Sequence, residues 1–182
     1  MPQPENDWLS GALQGDEEKL AALYDAYSPA LFRYAYRLLG NEQAAEDIVA
    51  EAFYRFLRLL KAGGGPKDHL KAYLYRVAHN LIMDRFRRQP PVELNLELGS
   101  EDLSDESEGP DQQTERAHAQ ASVRQSLWKL TPDQRQVVVL KFFEQLSNEE
   151  VSQVLHKPVG AVKSLQHRAL EALRRMLAGE AV

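Results

Sequence analysis

The side chains best suited to chemistry in this chain are cations set beside rings and hydroxyls at helical spacing. In YLYRVAHNLIMDRFRR, residues 73–88, Arg76, His79, Asn80, Met83 and Arg87 fall on one side of a 100° wheel. Tyr73 and Tyr75 flank that stripe and Phe86 lies near its edge. In VGAVKSLQHRALEALRRML, residues 159–177, Lys163, Ser164, His167, Arg168, Glu171, Arg174 and Arg175 share one side, opposite Val162, Leu165, Ala169, Leu170 and Leu173. Groups of this kind bind polyanions. Arg and Lys neutralise phosphates, rings stack on unpaired bases, and Lys, Arg and Ser reach base edges in the major groove. Catalysis fits poorly. Asp47 and Glu51 form an acid pair with no activating base, oxyanion donor or metal spacing beside it. The five histidines, 69, 79, 118, 156 and 167, lack ligand spacing. No phosphate-binding glycine loop of the G-x-x-x-x-G-K-[ST] type occurs. No metal, no cofactor and no enzymatic activity are expected.

These stripes must be carried by helices. The second lies behind a strongly marked series. LTPDQ offers Thr131 as N-cap, Pro132 at the first helical position and Gln134 three residues on, and LSNEE repeats the pattern with Ser147 and Glu150. Between them QVVVLKFFEQL reads as an apolar helix. His156-Lys157-Pro158 then interrupts before the last helix, about Val159 to Leu177. A short capped helix, a turn and a second helix with a free polar face make a helix-turn-helix. The first stripe belongs to the last of four helices expected over Asp16–Ala26, Pro29–Leu39, Asn41–Leu60 and Leu70–Arg88. Gly15-Asp16 and Gly40-Asn41 each read as a stop followed by a cap. On its core side stand Leu70, Leu74, Val77, Ala78 and Leu81. On the third helix Asp47, Ala50, Glu51, Tyr54, Arg55 and Arg58 face out, while Ile48, Ala52, Phe53, Phe56 and Leu60 face in. Glu51 and Arg55 make a favourable i, i+4 pair. KAGGGPKDH between the third and fourth helices is a glycine-rich loop able to close over an extruded base.

The chain has 182 residues and 43% hydrophobic content, enough for one or two small cores. Its net charge of -5 is unevenly spread. Residues 91–115 hold nine acids and no Lys or Arg; twelve bases and twelve acids precede them, and ten bases face six acids after them. That acidic stretch, opened by Pro90 and Pro91, reads as a linker between two helical units. It is also a polyanion that DNA would repel and a basic channel would attract. There is no cysteine, which fits a reducing compartment. The N-terminus MPQPENDWLSGAL has neither a basic start nor an apolar core, so no secretory leader is expected. No run reaches the roughly 18 apolar residues of a spanning helix, so no membrane insertion is expected and the location reads as cytoplasmic.

From the residues alone, each stripe also admits a plain reading: a solvated amphipathic face at 159–177, and a core helix with an Arg-rich end favoured by the helix dipole at 73–88. Longer motifs carry a resemblance. Leu146, Ser147, Glu150 and Val151, followed by Gly160, Ala161, Val162, Lys163, Ser164, Arg168 and Ala169, resemble the C-terminal domain of the extracytoplasmic-function (ECF, group 4) sigma factors of bacterial RNA polymerase. The match departs at Gln145, where the family usually has Gly, and at Ser152, where Ala is usual. Ala45, Glu46, Asp47, Ile48, Val49, Glu51 and Phe53 resemble the family's core domain. So do Ala72, Tyr73, Leu74, Val77, Ala78, Asn80, Asp84 and Arg87, with Tyr73 where Trp is common and Ala50 where Gln is common.

The resemblance implies an all-α protein of two small helical domains joined by a flexible acidic linker. The divisions are a tail over 1–10, region 2 over 11–89, the linker over 90–119 and a helix-turn-helix region 4 over 120–182. It implies that Lys157, Gly160, Ala161, Lys163, Ser164, His167, Arg168 and Arg174 contact the minus-thirty-five element. His69, Tyr73, Arg76, His79, Asn80, Met83 and Arg87 would recognise and melt the minus-ten element. Asp47, Ala50, Glu51, Tyr54 and Arg55 would dock on the clamp coiled coil of the polymerase largest subunit, with the polymerase flap as a further contact. Double- and single-stranded promoter DNA, core RNA polymerase and an anti-sigma factor are the implied partners. Two other functions are open: a helix-turn-helix regulator that acts without polymerase, binding as a dimer, and a helical adaptor that binds only proteins.

Overall fold

The computed structural model describes residues 4–66, 69–88, 122–123 and 125–178, and every regular element among them is helical. The expected linker over 90–119 lies outside the described residues. The N-terminal unit comprises α1 (Pro4–Leu13), α2 (Glu17–Leu39), α3 (Glu42–Lys61) and α4 (Leu70–Arg88). The C-terminal unit has a helical stretch over 125–129, then α5 (Pro132–Val138), a π-helical turn (Val139–Phe143), α6 (Asn148–Leu155) and α7 (Val159–Leu177).

Local chemistry places most boundaries. Gly15 takes the left-handed conformation at φ 81°, and Asp16 accepts from the backbone N–H groups of Glu18 and Lys19 to start α2. Gly40, at φ 63°, closes α2 through its N–H to the Tyr36 carbonyl, and the Asn41 side chain accepts from Ala44 N to start α3. Both expected capping boxes are formed, Thr131 with Gln134 and Ser147 with Glu150. His156 ends α6 in the left-handed region at φ 52°.

Two boundaries differ from the sequence expectation. Residues 4–13 form a helix, although their apolar residues are few. Leu9 and Ala12 are buried against the core and Lys19 of α2 pairs with Asp7, so packing rather than propensity holds α1. Residues 17–39 are one helix that runs through Pro29. An interior proline removes a hydrogen bond at a cost of about 3 kcal/mol. Leu23, Leu31 and Tyr34, on either side of it, are almost completely buried, and that continuous buried face keeps the axis intact.

The N-terminal core is built as the wheel requires, with Ile48, Ala52, Phe53, Phe56 and Leu60 buried from α3 and Leu70, Leu74, Ala78 and Leu81 from α4. Tyr75 and Ile82 are fully buried as well, and Val77 only partly. Tyr75 is therefore no flank of an exposed stripe. Helix α4 is covered on a second side, because α6 of the C-terminal unit packs along it. In the C-terminal unit Val137, Val139, Leu140, Val151, Val154, Val162 and Ala169 form the core, while Leu170, expected inside, is 39% exposed. Arg135 joins the 125–129 stretch to α5. Its guanidinium lies 3.9 Å from the Trp128 ring centroid and donates to the carbonyls of Leu127 and Trp128 at the end of that stretch.

Candidate nucleic-acid and polymerase surfaces

The cationic face of α7 is presented as a rigid, solvent-facing row. Val162, Leu165 and Ala169 fix its rotation by packing inward on α5 and α6. Gly160, Lys163, Ser164, His167, Arg168 and Arg174 are consequently exposed, and Ala161 is half-buried. The Ser164 hydroxyl donates to the Gly160 carbonyl at 3.0 Å, and His167 lies 3.4 Å from the Glu171 carboxylate. Lys157 is tied to Asp133 at 3.0 Å, and so anchors the turn before α7 to α5. The start of α7 differs from those of α5 and α6. Pro158 at the cap supplies no side-chain acceptor. A Cβ added at Gly160 would meet nothing within 4 Å. The first turn of α7 thus offers backbone N–H groups and an unobstructed approach.

Helix α4 distributes the residues singled out in the sequence between solvent and contact. His69, in the left-handed conformation at φ 52°, Asn80 and Arg87 are exposed, and Arg87 pairs with Asp84 at 3.0 Å. Tyr73 and Arg76 are half-buried at the rim, the guanidinium 5.6 Å from the ring centroid and the ring 6.0 Å from that of Phe56. Burial raises the Tyr73 phenol above its ordinary pKa, with Arg76 opposing, so the ring stays neutral. Met83 is half-buried, its sulfur accepting from the Gln136 amide at 3.4 Å. His79 does not face solvent. It is 6% exposed, its Nδ1 lies 2.8 Å from the Tyr34 hydroxyl, and burial lowers its pKa to about 4.

The outward face of α3 is laid out as its periodicity requires. Asp47, Ala50, Tyr54 and Arg55 are exposed, Glu51 is half-buried, and Arg55 Nε donates to Glu51 at 2.7 Å. Beside it a charged notch between α3 and α4 is lined by Asp47, Glu51, Arg55, Asp84, Arg85 and Arg88. Behind it Tyr24, Phe53 and Tyr54 line a shallow apolar groove between α2 and α3.

The most buried charge in the described residues was not singled out by its sequence. Glu144, 5% exposed, sits just past the π-helical turn. One carboxylate oxygen accepts from Arg37 of α2 at 2.7 Å and the other from the Tyr75 hydroxyl of α4 at 2.7 Å. Its backbone carbonyl accepts from Lys71 Nζ at 2.7 Å. Desolvation lowers the Arg37 pKa, an effect Glu144 opposes, and burial followed by the Glu144 charge raises the Tyr75 pKa strongly. The signal available in the sequence was the acid itself, ending an otherwise apolar run at KFFE.

Comparison with known proteins shows the same division into two units. The Sigma-70 region 2 family matches residues 23–90, and the Sigma-70 region 4 family matches residues 120–173. The ECF RNA polymerase sigma factor SigW of Bacillus subtilis (strain 168) is 35% identical over 172 residues, covering 90% of this chain and 91% of SigW. The solved structure of CnrH in complex with the cytosolic domain of CnrY has a TM-score of 0.73 at 21% identity, over 98% of this chain and 100% of that one. The sigma factor RpoE in complex with the anti-sigma factor NepR from Bartonella quintana gives 0.66 at 20% identity, over 91% and 99%. These two share the fold. With region 2 and region 4 in order, and a relative matched almost end to end, the chain belongs to the ECF sigma factors of RNA polymerase, which direct promoter-specific transcription initiation.

Proposed function

We propose that this chain, as a group 4 sigma factor in the cytoplasm, divides initiation among three surfaces. Helix α7 enters the major groove of the minus-thirty-five element. Lys163, Ser164, His167 and Arg168 meet base edges, and Lys157, Arg174 and the first-turn backbone at Gly160 and Ala161 meet phosphates. Helix α4, with His69 before it, takes the minus-ten element. Arg76 and Arg87 follow phosphates of the separated strand, and Tyr73, His79, Asn80 and Met83 stack on or hydrogen-bond to its bases. The face of α3 comprising Asp47, Ala50, Glu51, Tyr54 and Arg55 docks on the clamp coiled coil of the polymerase largest subunit, with the flap as a contact for region 4. Region 2 in this reading spans 11–89 after a tail over 1–10, and region 4 spans 120–182 after a linker over 90–119. Strand separation draws on binding energy, with no catalysis by the chain itself. An anti-sigma factor of the kind named with RpoE would hold it inactive.

The observation that carries this reading is the α7 face: exposed cations on a helix whose rotation is fixed by its core, starting at an uncapped turn. Transcription in vitro with core polymerase tests it. Addition of the chain is expected to give defined start sites. Arg76→Ala and Asn80→Ala should slow promoter opening, monitored by permanganate footprinting, more than they weaken the closed complex. Normal opening by both variants would remove α4 from its role.

A further inference from the structure

The C-terminal unit lies over α4, the helix to which strand melting is assigned. Its contacts run from Lys71 and Tyr75, held by Glu144, to Met83, held by Gln136. That is about 18 Å of the α4 axis. His79, near the middle of the span, is closed off from solvent with His156, Lys157 and Asp133 of the C-terminal unit as its titratable neighbours. A single strand cannot reach this side of α4 while α6 is packed on it.

We propose that the packed arrangement is an autoinhibited form, in which the C-terminal unit covers the His79 and Met83 side of the melting helix and Glu144 is the latch. This rests on α4 being the minus-ten helix. Three features favour a contact made to separate. The latch is a cluster of charged and hydroxyl groups, Arg37, Lys71, Tyr75 and Glu144, each of which water can satisfy once the units part. The cluster joins the C-terminal unit to both α2 and α4, so losing one carboxylate loosens two helices together. Arg88 and Ser122 are separated by 33 residues of chain, a reach of about 100 Å when extended. The units can part widely without strain.

The test uses the full chain. It has no cysteine, so dyes can be placed at Tyr54→Cys and Leu177→Cys, both exposed positions. Energy transfer then reports separation, and anisotropy of a labelled single-stranded oligonucleotide of randomised sequence reports access to α4. Glu144→Gln keeps the shape and removes the charge. It should lower transfer and tighten oligonucleotide binding about tenfold, the scale of a lost charged hydrogen bond. Tyr75→Phe, which deletes one hydroxyl and retains the ring, should shift both in the same direction by less, and serves if Glu144→Gln loses helicity. Unchanged transfer in a helical variant overturns the latch. Separation without tighter binding overturns the cover. Transcription with core polymerase, run alongside on the unlabelled chain, separates either failure from failure of the promoter reading itself.

Discussion

At Gly160 the absence of a side chain serves nothing within the molecule: its φ is negative, it lies in the first turn of α7, and an added Cβ would find open space. Gly costs a helix interior about 1 kcal/mol relative to Ala. Gly160→Ala should therefore leave the melting temperature unchanged or raised, while weakening affinity for an upstream promoter duplex several-fold by crowding the phosphate approach. Equal affinity would show that no backbone comes close there. Gln145 is the reverse case. It sits at φ 57°, where an L side chain is strained, two residues past the π-helical turn. Gln145→Gly is expected to stabilise the chain by about 1 kcal/mol in urea denaturation. Both residues were conspicuous in the sequence, one as a match and one as a departure, but only the backbone angles show that the fold does not require the glycine at 160 and would favour one at 145.

At the scale of helices, legibility followed locality. Caps at Asp16, Asn41, Thr131 and Ser147 are decided within four residues, and each forms as its spacing requires. The outward face of α3 was equally legible because its partners, α2 and α4, cover one continuous arc and leave the opposite arc free. Helix α4 was not, since it is buried on two sides: a wheel with a single apolar arc leaves Tyr75, His79 and Ile82 nowhere to go, and all three are inside. The break expected between Ala26 and Pro29 does not occur, because Leu23, Leu31 and Tyr34 bury one face continuously across it. The exposed faces of α3 and α7 could thus be read in advance, whereas the Glu144 cluster depends on residues 69 and 107 positions apart.

For the molecule as a whole, the buried His79 links acidity to stability. Burial is the main cause of its depressed pKa, about 4, with His156 and Lys157 lowering it further and Asp133 opposing; the Tyr34 hydroxyl is its hydrogen-bond partner. In the unfolded chain the ring titrates near 6.5. Above that pH it is neutral in both states and the full stability is present. As pH falls from about 6.5 towards 4, only the unfolded state takes up the proton, and stability is lost at up to about 1.4 kcal/mol per unit. Between pH 7.5 and 5 the melting temperature should drop by more in the natural chain than in His79→Gln. Equal drops would remove His79 as the cause.

The π-helical turn has a consequence for how this chain tolerates insertions and deletions. Its hydrogen bonds reach back five and six residues, from Glu144 N to Val139 O and from Leu146 N to Leu140 O, so the segment carries one residue more than an α-helix of that length. Excising Lys141 would restore ordinary pitch and leave the residues on either side of the turn nearly in their present orientation, because the wide turn absorbs the extra residue within itself. The acid would then still face Arg37, and both capping boxes would keep their residues. The same excision made inside α6 would instead turn everything after it by about 100°, so this turn is where the C-terminal unit can lose a residue and stay docked.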